Sequence, residues 1–324
     1  MAKGLDPVDL QMSVLVLFWG SAFLAIPVVL EQLDPYQLTW FRYLPFPILY
    51  GAYLLTRRRA VFAQVEGRDW VKMALLGFLG VVGYHFALNW GLHSSDGVVV
   101  SGATGSILVA TGPLWTLLFA VALGKEKVTP RALAGSLVAF AGVAVVVLLG
   151  KGQAELTVAA KAAVILLAPI SWSVYSIFCK PLIGRYGGLF VTGVTLSLGT
   201  FTLIPLGLQY GTAPLVALGA RQWGALLFLA IACTLAGYAI WNTALKHRSA
   251  SHVAAFIYAQ PVVTAVLGAL FFGVQLTPWF LLGSALVLAG VIQVNRARLA
   301  AGLQTKVDHV GRRGLWPRRP VAKP

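Results

Sequence analysis

The chain has 324 residues, of which 58% are hydrophobic and 11% charged, and its formal charge is +15. Soluble domains are about 45–50% apolar and about 25% charged, so this composition excludes an ordinary soluble enzyme and indicates a membrane protein. The basic residues lie between apolar runs and in the C-terminal tail. Membrane proteins keep their basic residues in such places, so the positive charge does not indicate nucleic-acid binding.

Long apolar runs predict ten membrane-spanning helices. A bilayer core of about 30 Å requires roughly 20 apolar residues in a helix, and a helix pairs its backbone amides within the segment. The runs are too long and too uniformly apolar for the strands of a β-barrel. In chain order, the predicted spans are residues 10–30, 37–55, 72–92, 98–123, 132–149, 160–179, 189–208, 223–245, 250–272 and 279–295.

The distribution of Lys and Arg predicts that both termini face the cytoplasm. With the N-terminus inside, most of the 25 basic residues fall in cytoplasmic segments, as the positive-inside rule requires. Lys151, Lys161 and Arg221 fall on the opposite side, and Arg42 falls within the second span. An even number of spans returns the C-terminus to the side of the N-terminus.

The two halves of the chain resemble each other at offsets of about 150 residues, which predicts an internal repeat. The matched residues are Trp19 with Trp172, Asn89 with Asn242, Pro113 with Pro261, Gly135 with Gly283, and Gly142 with Gly290. Each copy holds five spans, an odd number, so the second copy enters the membrane inverted. The predicted fold is an all-α integral membrane protein of two inverted five-helix repeats, 1–150 and 151–298, followed by a disordered basic cytoplasmic tail, 299–324.

Motifs at the end of each half are similar to those of the EamA-type branch of the drug/metabolite transporter superfamily. The matching segments are Trp19-Gly20-Ser21, Gly124 to Pro130, Ala141-Gly142-Val143, Gly273 to Pro278 and Ala289-Gly290-Val291, together with Arg42. The resemblance implies a ten-helix exporter or exchanger of amino acids or similar metabolites in the plasma (inner) membrane. Val274 takes the place of Glu126 in the second half, so the role of that glutamate is not repeated there.

Polar residues within spans give the candidate solute site, because polar groups in hydrocarbon tend to face a cavity or a partner. His85 and Asn89 are four residues apart and share a helix face, with Tyr84 beside them. Gly83, Ala87 and Gly91 form a separate small-residue stripe that predicts a helix-packing seam. A shift of 153 residues brings Tyr238 and Asn242 to the places of His85 and Asn89. The alternative is that each Asn only bonds a neighbouring helix.

Aromatic residues and prolines complete the candidate solute site. Trp19, Trp172 and Tyr175 suit an amphipathic or aromatic solute, although aromatic residues also anchor helices at the membrane interface. Pro113 and Pro261 predict kinks that free a backbone carbonyl beside the site or are merely static. The flanking residues of the second proline are Tyr258 and Gln260.

Arg42 is a costly charge within a span and must pair or reach the interface. The expected partners are Glu31 and Asp34 in the adjoining outer loop, and the alternative is a substrate carboxylate. We assign Arg42, Pro113 and Pro261 to gating or hinge roles.

The predicted function is secondary transport of small metabolites, such as amino acids or related amphipathic solutes, by alternating access. The alternative within the superfamily is a carrier of phosphate-bearing solutes or lipid-linked sugars. A membrane enzyme is disfavoured, because the histidines form no H-E-x-x-H pair and no metal or cofactor site is predicted. Coupling stays open between exchange, facilitated diffusion and proton antiport relayed by His85. The predicted partners are a small-molecule substrate and membrane lipid but no nucleic acid, and the protein is expected to be a monomer or homodimer.

Overall fold

Helices account for all regular secondary structure in the part of the chain that the computed structural model describes, which is residues 6–57, 59–94, 100–124, 129–149, 156–247 and 256–314. This confirms the all-α prediction. The helices of the first half are α1 (Pro7–Leu30), α2 (Pro35–Tyr43), α3 (Pro45–Arg57), α4 (Arg59–Phe62), α5 (Gly67–Phe78), α6 (Ala87–Leu92), α7 (Gly102–Val109), α8 (Gly112–Ala122) and α9 (Pro130–Leu149).

The second half contains the remaining helices in the described ranges. They are α10 (Leu156–Tyr186), α11 (Gly188–Phe201), α12 (Ile204–Tyr210), α13 (Ala213–Val216), α14 (Ala220–Leu227), α15 (Gly237–His247), α16 (Gln260–Phe272) and α17 (Pro278–Gly314). A π-helical segment, Leu79–Phe86, joins α5 to α6, and a second one, Phe228–Ala236, joins α14 to α15. Each of these two spans is therefore continuous but locally underwound.

Six helical stretches are long and apolar enough to cross a bilayer, and the chain is a multi-pass membrane protein. They are Pro7–Leu30, Gly67–Leu92, Gly102–Ala122, Pro130–Leu149, Val158–Tyr186 and Ala220–Trp241. Three further apolar helices are shorter: Gly188–Phe201, Gln260–Phe272 and Pro278–Val294. Many large apolar side chains lie on the outer surface, including Leu270 at 70% and Phe271 at 74% exposure. Such a surface is stable in lipid rather than in water.

The predicted second span, 37–55, is divided by proline. Asp34 caps α2 through the amides of Tyr36 and Gln37, and α2 ends at Tyr43. Pro45 then begins α3. Proline lacks the amide hydrogen that would continue the ladder, so it starts a new helix rather than extending the old one. The division places Arg42 and Tyr43 in the last turn of α2.

Pro113 and Pro261 also lie in the first turns of helices rather than at kinks within them. The helix is interrupted at Ala110 and Thr111, and α8 starts after this break. Pro113 therefore falls in the first turn of α8, where a missing amide hydrogen is tolerated. The carbonyl of Gly112 accepts hydrogen bonds from Thr116 Oγ1 and Ser173 Oγ, both at 3.0 Å. This carbonyl therefore binds side chains of α8 and α10.

The last helix extends beyond the predicted boundary at residue 298, since α17 continues to Gly314. Residues 299–307 contain helix formers such as Leu, Ala and Gln and no proline, which suits continuation of the helix. Residues 315–324, which complete the predicted tail, lie outside the described residues.

Two antiparallel helices, α9 and α17, pack through glycine. A Cβ on Gly142 would lie 2.6 Å from the carbonyl oxygen of Gly283, and a Cβ on Gly135 would lie 2.8 Å from that of Gly290. Glycine removes this obstacle and allows the two backbones to touch, as in other membrane helix pairs. The predicted seam of Gly83 and Gly91 likewise packs, against α10.

Helices α1 and α10 run in opposite directions. The last turn of α1 and the end of α6 line one cavity, through Leu30 and Leu92. The first turns of α10 pack on the same end of α6, since a Cβ on Gly91 would overlap Ile165. The end of α1 and the beginning of α10 therefore lie at one end of the bundle.

A buried carboxylate ties α5 to α10 at the opposite end of the bundle. Asp69 is 1% exposed and lies 2.7 Å from both Lys72 Nζ and Arg185 Nη1. The hydroxyl of Tyr186 donates to the same carboxylate at 3.0 Å. Asp69 lies in the first turn of α5 and Arg185 in the last turn of α10, so each charge also complements its own helix dipole.

At the other end, Glu31 follows α1 and accepts hydrogen bonds from Arg221 at 3.2 Å and Gln222 at 2.9 Å, both at the start of α14. This pairing has the same arrangement as the first, with the end of one long helix bound to the start of its neighbour. Glu31 and Arg221 are 46% and 61% exposed, so solvent screens the pair.

We expect Gly142→Ala to lower the thermal unfolding midpoint of the purified protein. The added methyl group would press on the backbone of α17, and overpacking costs about 1–3 kcal/mol. Gly224→Ala is the matched control, since a Cβ there meets nothing within 4 Å. This control gains helix propensity of about 1 kcal/mol and keeps or raises the midpoint. Equal shifts of both variants, measured at one scan rate, would contradict the proximity of α9 and α17.

Candidate functional site

Two hydrogen bonds join α2 to the predicted polar face of the third span. Asn89 Nδ2 donates to Thr39 Oγ1 at 3.0 Å. One turn away, His85 Nε2 hydrogen-bonds the hydroxyl of Tyr43. All four side chains are buried, at 5% exposure or less. His85 and Asn89 therefore share a face, as expected, and Asn89 makes the bond to a neighbouring helix that the sequence left as its alternative.

Arg42 does not pair with Glu31 or Asp34, and this expectation was wrong. Glu31 binds Arg221 and Gln222, while Asp34 caps α2. Arg42 is 5% exposed and its Nε donates to Thr234 Oγ1 at 3.1 Å, across to the second π-helical segment. The reason is the direction in which α2 runs. Arg42 lies at the end of α2 away from the Asp34 cap, so its side chain reaches the bundle interior rather than the outer loop.

Trp19 packs on the eighth predicted span rather than at a membrane interface. Its indole nitrogen donates to the carbonyl of Cys233 at 2.8 Å. Its ring lies 6.2 Å from that of Tyr238 and 5.6 Å from that of Trp241, measured between centroids. Tyr238 and Tyr43 belong to the same buried cluster, so the first and eighth spans meet α2 through this tyrosine.

Trp172 occupies a comparable place beside the third span. Its ring lies 5.7 Å from Tyr84 and stacks on Tyr175 at 5.2 Å. Tyr84 lies 4.6 Å from His85. Six of the predicted site residues thus belong to one set of neighbouring rings, in which Tyr238 and Tyr43 are linked through a shared buried cluster. We call this set the aromatic chain, and its members in order are Trp241, Trp19, Tyr238, Tyr43, His85, Tyr84, Trp172 and Tyr175.

The remaining predicted site residues occupy other positions. Tyr258 packs against the large apolar core. Gln260 is buried at the start of α16, where its backbone carbonyl lies beside Gly20. Asn242 belongs to α15, but its side chain lies outside the described residues.

Tyr43, Phe46 and Thr234 are site residues that the sequence reasoning missed. Tyr43 could have been found from its helical spacing, since it follows Thr39 by four residues and Arg42 by one. Phe46 lies 6.3 Å from Tyr238, between ring centroids. It follows Pro45, where a new helix begins, so the direction of its side chain cannot be predicted from the spacing of residues in α2. Thr234 resembles any small polar residue within an apolar run, so no sequence signal identifies it.

Two cavities on the described surface are lined by residues outside the aromatic chain. The larger, about 470 Å³, lies between the ends of α1 and α6 and is lined by Pro27, Glu31 and His93 among others. The smaller, about 220 Å³, is an apolar cleft lined by Trp40, Phe201 and Ile204 among others. Within the aromatic chain, Tyr43, His85, Tyr175 and Tyr238 are buried, whereas Trp19, Tyr84, Trp172 and Trp241 are partly exposed.

A lipid-facing bundle of helices with polar and aromatic groups at its centre defines the class of multi-pass membrane transporters. The chain belongs to the EamA-like transporter family, whose model matches residues 7–148 and 160–296. This confirms the resemblance to EamA-type drug/metabolite transporters. The family indicates a transporter rather than an enzyme.

Relatives agree with this assignment. The chain is 33% identical over 302 residues to a probable terminal-alkyne amino-acid exporter of Streptantibioticus cattleyicolor, covering 92% of this chain and 96% of that one. It is 28% identical over 291 residues to an uncharacterized transporter of Archaeoglobus fulgidus, covering 87% and 95%. A solved crystal structure with 21% identity has a TM-score of 0.62 and covers 91% of this chain and 98% of that one. That structure shares the fold.

Tyr43→Phe should destabilise the protein by about 1–3 kcal/mol, because it leaves a buried polar group of His85 unsatisfied. Tyr84→Phe is the control: the Tyr84 hydroxyl has no hydrogen-bond partner among the residues that the structure describes, and its loss should change stability by less than about 0.5 kcal/mol. Both variants keep the ring. Thermal midpoints in detergent measure the difference, and equal midpoints would argue against the Tyr43–His85 bond.

Proposed function

We propose that this protein is a secondary transporter that moves amino acids or related amphipathic solutes by alternating access. In this proposal the protein consists of two inverted five-helix repeats, 1–150 and 151–298, which enclose the aromatic chain. Its orientation places both termini in the cytoplasm and the chain in the plasma membrane.

The packing of α9 on α17 is the observation that carries this proposal. Gly135 and Gly283 are equivalent by the repeat, and so are Gly142 and Gly290. In the structure Gly135 meets Gly290 while Gly142 meets Gly283. Equivalent residues that contact each other reciprocally are the pattern that a two-fold axis produces, and this pattern supports such an axis between α9 and α17. Because the helices are antiparallel, such an axis lies in the membrane plane, as it does in inverted-repeat transporters.

The opposite directions of α1 and α10 support the same symmetry, since Trp19 and Trp172 give these helices equivalent positions. Trp19 packs against the eighth predicted span, and Trp172 packs against the third. The third and eighth spans also each contain a π-helical segment. The aromatic chain thus runs across the proposed axis. In such a transporter, the site opens to one side when one half tilts against the other.

The solute class is inferred from the walls of the site and from the relatives. Aromatic rings bind apolar and aromatic groups, and their faces also attract ammonium groups. An amino acid with an apolar side chain offers both. The Streptantibioticus relative carries the name of an amino-acid exporter, which supports this solute class and outward transport.

Cysteine labelling tests the inversion. Glu31 and Gly184 are equivalent at the offset of 153 and should lie on opposite sides of the membrane. We expect a membrane-impermeant maleimide to label Glu31→Cys from outside intact cells and Gly184→Cys only in permeabilised cells. The unsubstituted chain is the background control, because Cys179 and Cys233 are 1% and 0% exposed. Labelling of both variants from the same side would rule out inverted repeats.

Counterflow in liposomes tests the solute class. We expect the protein to exchange labelled phenylalanine or leucine, and Trp19→Ala or Trp172→Ala to weaken apparent affinity by about 3- to 10-fold, since an aromatic contact contributes about 0.5–1.5 kcal/mol. Trp279→Ala is the control, because Trp279 is 50% exposed on α17. No counterflow with any amino acid would refute the proposed solute class.

A further inference from the structure

Arg42 is a buried cation that lacks a carboxylate partner within the described part of the chain. It is 5% exposed, and no described Asp or Glu oxygen lies within 4.0 Å of it. A charge at such a position is costly unless an opposite charge or a set of hydrogen bonds compensates it. The protein therefore stabilises a positive charge in its interior without a counter-ion from the described residues.

The guanidinium is oriented but not saturated. Nε donates to Thr234 Oγ1 at 3.1 Å, and Cζ lies 5.6 Å from the centroid of the Tyr43 ring. A guanidinium has five N–H donors, of which this bond uses one. The donors on the two terminal nitrogens make no hydrogen bond to the described residues. They form the planar fork that matches a carboxylate in a bidentate arrangement.

We propose that Arg42 binds the carboxylate of the transported solute, with Thr234 holding the guanidinium in place. This inference rests on the proposed function and makes its solute class specific. Arg42 neighbours Tyr43, a member of the aromatic chain. A carboxylate on Arg42 therefore places the rest of the solute against the tyrosine and tryptophan rings.

Two buried atoms on residues that bond α2 also lack partners in the described structure. They are Oδ1 of Asn89 and Nδ1 of His85. Buried polar atoms are nearly always satisfied, so each such exception suggests a missing ligand or water. Asn89 binds Thr39, three residues before Arg42 on α2. An acceptor so placed suits the ammonium group of an amino acid whose carboxylate is held by Arg42.

The charge balance favours a carboxylate over a phosphate. Arg42 and Lys161 are the buried Arg and Lys side chains of the described residues. Lys161 lies near the start of α10 and donates to the carbonyl of His93 at 2.8 Å. This leaves one positive charge at the centre, which balances a carboxylate but not a phosphate dianion.

Ligand-induced thermal stabilisation of the purified full-length protein tests the assignment. The probes are phenylalanine and leucine, their decarboxylated amines phenethylamine and isopentylamine, and inorganic phosphate. We expect the amino acids to raise the unfolding midpoint at concentrations at least ten-fold below those at which the amines act. Phosphate should have no effect at matched ionic strength.

Three variants separate binding from structural damage. Arg42→Gln should abolish the preference for the amino acids over the amines, while weak binding of the amines persists. Thr234→Val, which keeps the arginine but removes its anchor, should reduce amino-acid affinity by about 3- to 10-fold without affecting the amines. Arg221→Gln, at the exposed pair with Glu31, should keep the full preference.

Each contrary result has a distinct meaning. Equal stabilisation by amino acids and amines, or a preference that survives in Arg42→Gln, would overturn the carboxylate site while leaving amino-acid counterflow in liposomes intact. Stronger stabilisation by phosphate would overturn it in favour of a phosphate carrier. Absence of both stabilisation and counterflow with the amino acids would overturn the carboxylate site together with the proposed solute class.

Discussion

Water is absent from the middle of a bilayer, so a polar side chain buried there must be satisfied within the protein or by what the protein carries. Helix α2 carries several of these buried polar side chains. Thr39, Arg42 and Tyr43 lie on it within two turns and bind Asn89, Thr234 and His85 respectively. These bonds join α2 to the third and eighth predicted spans. A few polar contacts therefore fix how the helices are positioned at the centre of the bundle. The apolar surfaces around these contacts do not specify one relative position.

Glycine allows the helices to approach each other at the periphery of that centre. Interiors of membrane proteins gain little from burying apolar side chains, because lipid is equally apolar, so close backbone contact becomes an important source of cohesion. The α9–α17 pair shows this most clearly, and the close approach of Gly77 to the backbone of Gly199 joins α5 to α11 in the same way. These seams, together with ion pairs at both ends of the bundle, hold the helices together outside the aromatic chain.

The sequence predicted the membrane class, the helical fold, the family and the shared face of His85 and Asn89, because these depend on composition, periodicity and local motifs. It failed where a side chain's partner is distant in the chain. Arg42 was given nearby carboxylates, but helix direction points it to Thr234, 192 residues away. The sequence predicted a kink at Pro113. Whether a proline kinks a helix or starts one depends on the turn before it, which the sequence does not show. Tyr43 follows Thr39 by one helical turn, but the sequence does not show that its hydroxyl is bonded.

The two π-helical segments bear on how residues are aimed. A π turn contains one residue more than the α-helix would place there, so residues after it are rotated relative to those before it. His85 lies inside the first segment, whereas Asn89 lies beyond it. If the extra residue lay one place further along the helix, His85 would be rotated about the helix axis, whereas the hydrogen bond between Asn89 and Thr39 would be unchanged. The position of the extra residue in the third and eighth spans therefore decides which groups each span presents inward.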